Sequence, residues 1–165
     1  MGILTPPMEK PAGNVSREMA LLKERMLQHQ YKSTPQRDEI AEWVFRTHEH
    51  FTVEELIASF RSKGKKVSQA TAYRVIQMLL DLKLIEEHDF GKDYKFYEHT
   101  PGHEHHDHIV CMDCGKIIEF ADSSLETLKE KITLKNGFRM RKHHLTIYAE
   151  CTTCPPGKRV LSNRQ

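Results

Sequence analysis

The sequence predicts an α+β chain: an N-terminal winged helix-turn-helix DNA-binding domain, then a small α/β dimerisation domain with a structural zinc site. Three observations carry this. Helix caps and helical apolar spacing run from about Ser16 to Leu82, and two short strand-like runs then flank Phe90-Gly-Lys-Asp93. Beyond them, His103-Glu-His-His-Asp-His-Ile-Val-Cys-Met-Asp-Cys114 sets nitrogen and oxygen ligands directly against a thiolate pair, and Cys151-Thr-Thr-Cys154 supplies a second pair.

The elements follow in order. About Ser16 to His29 is an amphipathic helix through Met19, Leu22, Met26 and Leu27. Thr34-Pro35 offers an N-cap followed by proline at the first helical position, and Ile40, Trp43, Val44 and Thr47 recur at helical spacing. Thr52-Val-Glu-Glu55 is a capping box with Phe51 and Leu56 placed as its hydrophobic staple. Ser68 caps a helix whose buried stripe is Ala72, Val75, Met78/Leu79 and Leu82. Leu84 to His88 and Tyr94 to Glu98 form a hairpin around the glycine turn, the wing of a compact DNA reader. Small helix-hairpin modules also serve as protein-interaction domains, so the layout by itself leaves both uses open.

His99-Thr-Pro-Gly102 breaks the pattern. Ile109 to Cys111 and Lys116 to Phe120 are expected strands around a cysteine knuckle. Asp122 to Lys135 is a helix stopped by Asn136-Gly137, with Ser123 and Glu126 as a possible box, and Arg139 to Cys151 is a long strand. This half has little core, so a bound metal and a dimer interface are its expected supports. The expected boundaries are an extension at 1–15, the winged helix at 16–98, a hinge at 99–102, the metal and dimerisation domain at 103–154, and a tail at 155–165.

Bulk properties narrow the function classes. A chain of 165 residues with 38% hydrophobic and 29% charged residues suits one soluble domain or two small ones. No apolar run approaches the roughly 20 residues that span a bilayer. Met1 to Asn14 lacks a basic region followed by an apolar stretch, so the expectation is a cytoplasmic protein with no membrane partner. Through Phe90 the acidic and basic residues balance, 13 against 13, so charge does not announce a nucleic-acid partner. The one basic run, Arg61-Ser-Lys-Gly-Lys-Lys66, suits a solvated helix end capped by Gly64 as well as it suits a phosphate patch.

The cysteines carry the firmest chemistry. Cys111, Cys114, Cys151 and Cys154 form two Cys-x-x-Cys pairs, a thiolate set suited to closed tetrahedral zinc. Redox motifs are the weaker alternative, because neither pair opens a helix after a strand. For the histidines, an extended segment would put His106 and His108 on one face and His105 and Asp107 on the other. One strand could thus feed two sites, with ligands suited to Fe(II), Mn(II), Co(II) or Zn(II). A solvated histidine-rich loop is the plain alternative. A water-activating hydrolase is a minor one, since no H-E-x-x-H motif, nucleophile elbow or phosphate loop is present.

Two strings resemble a known family. Ser68-Gln-Ala-Thr-Ala-Tyr-Arg-Val75 is similar to the recognition helix of ferric uptake regulator (Fur) family repressors. His106-Asp-His-Ile-Val-Cys-Met-Asp-Cys-Gly-Lys-Ile-Ile-Glu-Phe120, with the two cysteine pairs, resembles their metal-binding half. The resemblance covers about Ser16 to Cys154. It implies a non-enzymatic repressor that binds an A·T-rich palindromic operator as a homodimer when a regulatory divalent metal is bound.

By the same resemblance, the regulatory metal would be held by His50, Glu98, His106, His108 and Glu119, and an auxiliary metal by His105, Asp107, Glu126 and His143. Strand phase together with the family pattern selects His143 over His144. Tyr73 and Arg74 match the DNA-reading pair of the recognition helix, with Thr71 nearby; an aromatic ring can meet a thymine methyl and Arg can reach guanine or phosphate. Lys32 matches a basic residue that reaches the minor groove or backbone. Zn(II) is the implied structural ion and Fe(II) the regulatory one, with Mn(II) or Zn(II) as substitutes. The absence of a fifth cysteine points away from the zinc-uptake branch. A peroxide-sensing branch shares the cysteine pairs but uses aspartates where this chain has Glu98 and Glu119, which favours iron.

Overall fold

The computed structural model describes residues 14–102 and 105–152. The described residues fall in two compact units, one within Lys10–His103 and the other within Glu104–Gln165.

The first unit holds α1 (Val15–Gln28), α2 (Pro35–Arg46), α3 (Val53–Ser62) and α4 (Gln69–Asp81), followed by the antiparallel hairpin of β1 (Ile85–His88) and β2 (Phe96–His99). The caps act as their residue types dictate. Thr34 Oγ1 accepts from Arg37 N–H ahead of Pro35, and Ser68 Oγ accepts from Thr71 N–H at 3.1 Å. At α3 the box is complete: Thr52 Oγ1 accepts from Glu55 N–H at 3.2 Å and Glu55 Oε2 accepts from Thr52 N–H at 2.8 Å. Phe51 and Leu56 flank it, both buried. The basic run after α3 is a helix end, where Gly64 takes a positive φ of 71° and Lys65 pairs with Glu39 at 3.0 Å. Leu22, Ile40, Val44, Leu56, Val75 and Leu79 meet in one core between the helices.

Two expectations need correction in this unit. Leu27 is 81% exposed. It lies about 140° round the helix from Leu22, at about 100° per residue. The inward face of α1 instead carries Glu18, Leu22 and Met26, and Arg25 Nη1 on that side donates to Leu82 O at 2.6 Å. The breaker also starts one residue later than expected. His99 is the last residue of β2, fully buried, with its Nδ1 3.1 Å from Thr47 O.

The second unit is a three-stranded sheet in the order β4 (Ile117–Phe120), β3 (Asp107–Cys111), β5 (Thr146–Ala149), with α5 (Ser123–Lys135) as the crossover. β3 runs antiparallel to β4 and parallel to β5. The long strand expected at Arg139 to Cys151 shrinks to four residues, because its parallel ladder with β3 starts at the His108–Thr146 pair and, among the described residues, no strand pairs with the segment before it. The expected box at Ser123 is absent too. Asp122 caps α5, accepting from Ser124 and Leu125 N–H, and Glu126 bonds elsewhere. Among the described residues of this unit, only Val110 and Cys111 are buried hydrophobics, and α5 buries no side chain. Ile118, Leu128, Ile132, Ile147 and Tyr148 are exposed.

Candidate metal centres and nucleic-acid interface

The knuckle between β3 and β4 brings the thiols together. Gly115, at a φ of 73°, turns the chain so that its N–H meets Cys111 O at 2.9 Å, and Cys111 N–H meets Lys116 O at 2.9 Å. β5 then delivers Cys151, whose Sγ stands 3.3 Å from Cys111 Sγ and 3.6 Å from Cys114 Sγ. A disulfide would need about 2.05 Å. Tetrahedral zinc, with bonds of about 2.3 Å, separates its sulfurs by about 3.8 Å, and the observed spacing suits that. The backbone N–H groups of Cys114 and Cys151 hold the Cys111 thiol down to about 6, favouring the thiolate that a metal requires. Three thiols of the expected set therefore fit zinc, while Cys154 lies outside the described residues.

In the first unit a bridge between Phe51 and Tyr97 lays the end of the α2–α3 connection against β2. His50 thereby comes beside Glu98, with Nε2 3.3 Å from Oε2, and both side chains are 5% exposed. The sequence reading missed His88. From the end of β1 its Nε2 reaches the same Glu98 oxygen at 3.5 Å. The His88 ring stacks on Phe90 at 5.4 Å and 12°, and meets the His50 ring edge-on at 5.2 Å. His50, His88 and Glu98 each offer a ligand atom within 4.8 Å of the others. The available signal was the hairpin itself: the register sets Glu86 opposite Glu98 and His88 opposite Phe96, which places Glu98 and His88 near one another on adjacent strands.

In the second unit the histidines fall into two sets. The His106 and His108 rings lie 5.0 Å apart, and His106 Nε2 is 3.9 Å from Glu119 Oε2. Register explains the carboxylate, since β4 sets Glu119 directly opposite His108. The other set gathers His105, Asp107, Glu126 and His143 within 4.8 Å. The His105 and His143 Nε2 atoms approach to 2.6 Å, and each stands 3.6 Å from Asp107 Oδ1. His143 sits in an irregular segment, so strand phase does not explain its selection over His144.

Lys129 belongs to this second cluster and was not foreseen. Its Nζ lies 2.5 Å from Asp107 Oδ2, 2.8 Å from Glu126 Oε1 and 2.8 Å from His143 Nε2. Burial acts to lower the Lys129 pKa, but the hydrogen bonds to Asp107 and Glu126 outweigh it and hold the ammonium above the usual lysine value. The same contact with Lys129 draws Glu126 below the usual carboxylate range, while burial and then His143 lower His105.

The outward face of α4 is polar and open. Ala72, Val75, Ile76, Met78 and Leu79 are buried, which leaves Tyr73, 44% exposed, beside exposed Arg74 on the opposite side. Gln69 and Gln77 share that face and were not singled out from sequence, although glutamine can read adenine through two hydrogen bonds. Thr71 is half-buried at the N-terminus of α4, its hydroxyl 2.9 Å from Ser68 Oγ. Lys32 is exposed ahead of α2, and its carbonyl accepts from Arg37 Nη1 at 2.5 Å. No helix among the described residues is long and apolar enough to cross a membrane.

Known proteins are similar to this chain in sequence and in fold. The ferric uptake regulation protein of Escherichia coli K12 is 37% identical over 102 residues, covering 62% of this chain and 68% of its own length. That of Synechococcus elongatus is 33% identical over 138 residues, covering 82% and 93%. Among solved structures, the Helicobacter pylori ferric uptake regulator, described as having three functional metal binding sites, superposes with a TM-score of 0.78 at 29% identity over 87% of this chain and 95% of that one. The Vibrio cholerae regulator gives 0.69 at 31% identity over 78% and 98%. The family model for the ferric uptake regulator family matches residues 28–148. The chain belongs to the ferric uptake regulator family.

Proposed function

We propose that this member is an Fe(II)-responsive repressor that binds an A·T-rich inverted repeat as a homodimer. The observation that carries the metal response is a buried carboxylate, Glu98, faced by two imidazoles within 3.5 Å in the unit that also bears the reading helix. His50 and Glu98 on that unit, with His106, His108 and Glu119 on the other, are the proposed regulatory ligands, and His88 joins them as a ligand or as the group that orients Glu98. A divalent ion held by these residues would supply the positive charge that their carboxylates and imidazoles need. A metal that binds one conformational arrangement more tightly shifts the chain toward it by that difference in affinity. If operator DNA favours the same arrangement, metal and DNA tighten each other by one factor.

Cys111, Cys114, Cys151 and Cys154 are proposed to hold zinc as a fixed support. Tyr73 and Arg74 would read base edges, with Thr71 and Lys32 on the phosphates or minor groove. The exposed Ile118, Ile147 and Tyr148 of the sheet and Leu128 and Ile132 of α5 are apolar area that a second copy would cover. The carboxylates Glu98 and Glu119 support iron over peroxide as the signal.

The test is operator binding across Fe(II), Mn(II) and Zn(II), with and without peroxide. Metal-dependent binding lost in His106→Ala is the expected result, and binding indifferent to metal refutes the proposal. Oxygen added to His50 or His106, with loss of DNA binding, would assign the peroxide signal instead.

A further inference from the structure

We propose that Lys129 is a built-in cation for the His105, Asp107, Glu126 and His143 cluster, so that a divalent ion enters this cluster only by expelling the lysine ammonium. An ammonium has three donors and no acceptor. All three have partners here: Asp107 Oδ2, Glu126 Oε1 and His143 Nε2, at 2.5, 2.8 and 2.8 Å. Those same lone pairs are what a metal would need. Ammonium and metal are therefore mutually exclusive tenants.

The placement follows from local structure. Glu126 and Lys129 are three residues apart on α5 and so share a face, which points to Asp107 on β3. Asp107 is 2% exposed, and a buried carboxylate without a cation is costly. Because α5 buries no side chain, the Lys129–Asp107 pair is also a link from helix to sheet. The ammonium thus supplies both the charge and the tie that an auxiliary metal would otherwise supply.

The experiment titrates the full-length, zinc-loaded chain with Co(II) in a His106→Ala background, so that the count does not depend on the regulatory site. Lys129→Met should take up one Co(II) per protomer that the Lys129 chain binds at least about thirtyfold more weakly, the low end for a tethered buried cation that pairs with a carboxylate. Adding His105→Ala should remove that ion. Before Co(II) is added, zinc-loaded Lys129→Met should melt lower and recover on adding Co(II), whereas Lys129→Arg, which keeps the cation, should stay closed to Co(II). The proposal is overturned if Lys129→Met gains no ion, if Lys129→Arg gains one, or if the Lys129 chain already binds Co(II) there as tightly.

Discussion

Replacing His88 by Phe separates its nitrogen from its ring. The ring stacks on Phe90 at 5.4 Å, which Phe can continue, while Nε2 stands 3.5 Å from the Glu98 oxygen that His50 also approaches. The substitution removes one of the two imidazoles that the hairpin unit sets beside that oxygen, where the carboxylate is 5% exposed. Removing a group that ligates a metal or orients a ligand carboxylate costs about 10–100-fold in metal affinity. That is about 1.4–2.7 kcal/mol. With fluorescence anisotropy of a labelled operator titrated with Mn(II), the midpoint in metal should rise by about that factor. The plateau at saturating metal should match the wild type, because linkage moves the midpoint and not the end state. His88→Ala should shift the midpoint similarly and also lower Tm, since it removes a buried ring. An unchanged midpoint in His88→Phe, with Glu98→Gln still disruptive, would show that His88 merely packs against Phe90.

Three further outcomes follow from the same geometry. Arg74→Ala, on the open face of α4, should abolish operator binding without changing Tm or oligomeric state; retained sequence-specific binding would move the reading surface elsewhere. Cys111→Ser should release zinc, measured with a chromogenic chelator, and lower Tm by several degrees, while His106→Ala should leave zinc content intact. Equal zinc loss in both variants would merge the two sites. Glu18 is buried, its pKa is raised by burial, and its Oε2 has no hydrogen-bond partner among the described residues. A raised carboxyl pKa favours the fold below the ordinary value of 4.5 and loses that contribution as pH rises through the raised value. Glu18→Gln should therefore melt higher than wild type at neutral pH, with the gap closing near pH 4.5. A lower Tm at neutral pH would mean instead that Glu18 forms a working ion pair with His99, 3.8 Å away.

Much of this was legible in the sequence because it is local. Caps act over three residues, so Thr34, Thr52 and Ser68 announce the starts of their helices; the Ser68 cap and the buried stripe of α4 together fix which side of that helix carries Tyr73 and Arg74. Alternation along an extended chain separates the His106 and His108 pair from His105 and Asp107. Two Cys-x-x-Cys pairs state their chemistry by spacing. Where such local rules stop, the expectations slipped. Leu27 could join an apolar stripe on paper, but only packing chose the face of α1. The segment before Thr146 could be strand by composition, but a strand exists only where a neighbour offers a ladder. His88 meets Glu98 through a hairpin register, and Lys129 meets Asp107 across a helix and a sheet 22 residues apart. The sequence by itself determined the fold class, and its spacing and alternation pointed to the thiolate pairs and to two faces of the histidine segment. Tertiary structure alone decided which groups share a lone pair, because hydrogen bonds reach about 3 Å and no sequence spacing encodes that distance between separate elements.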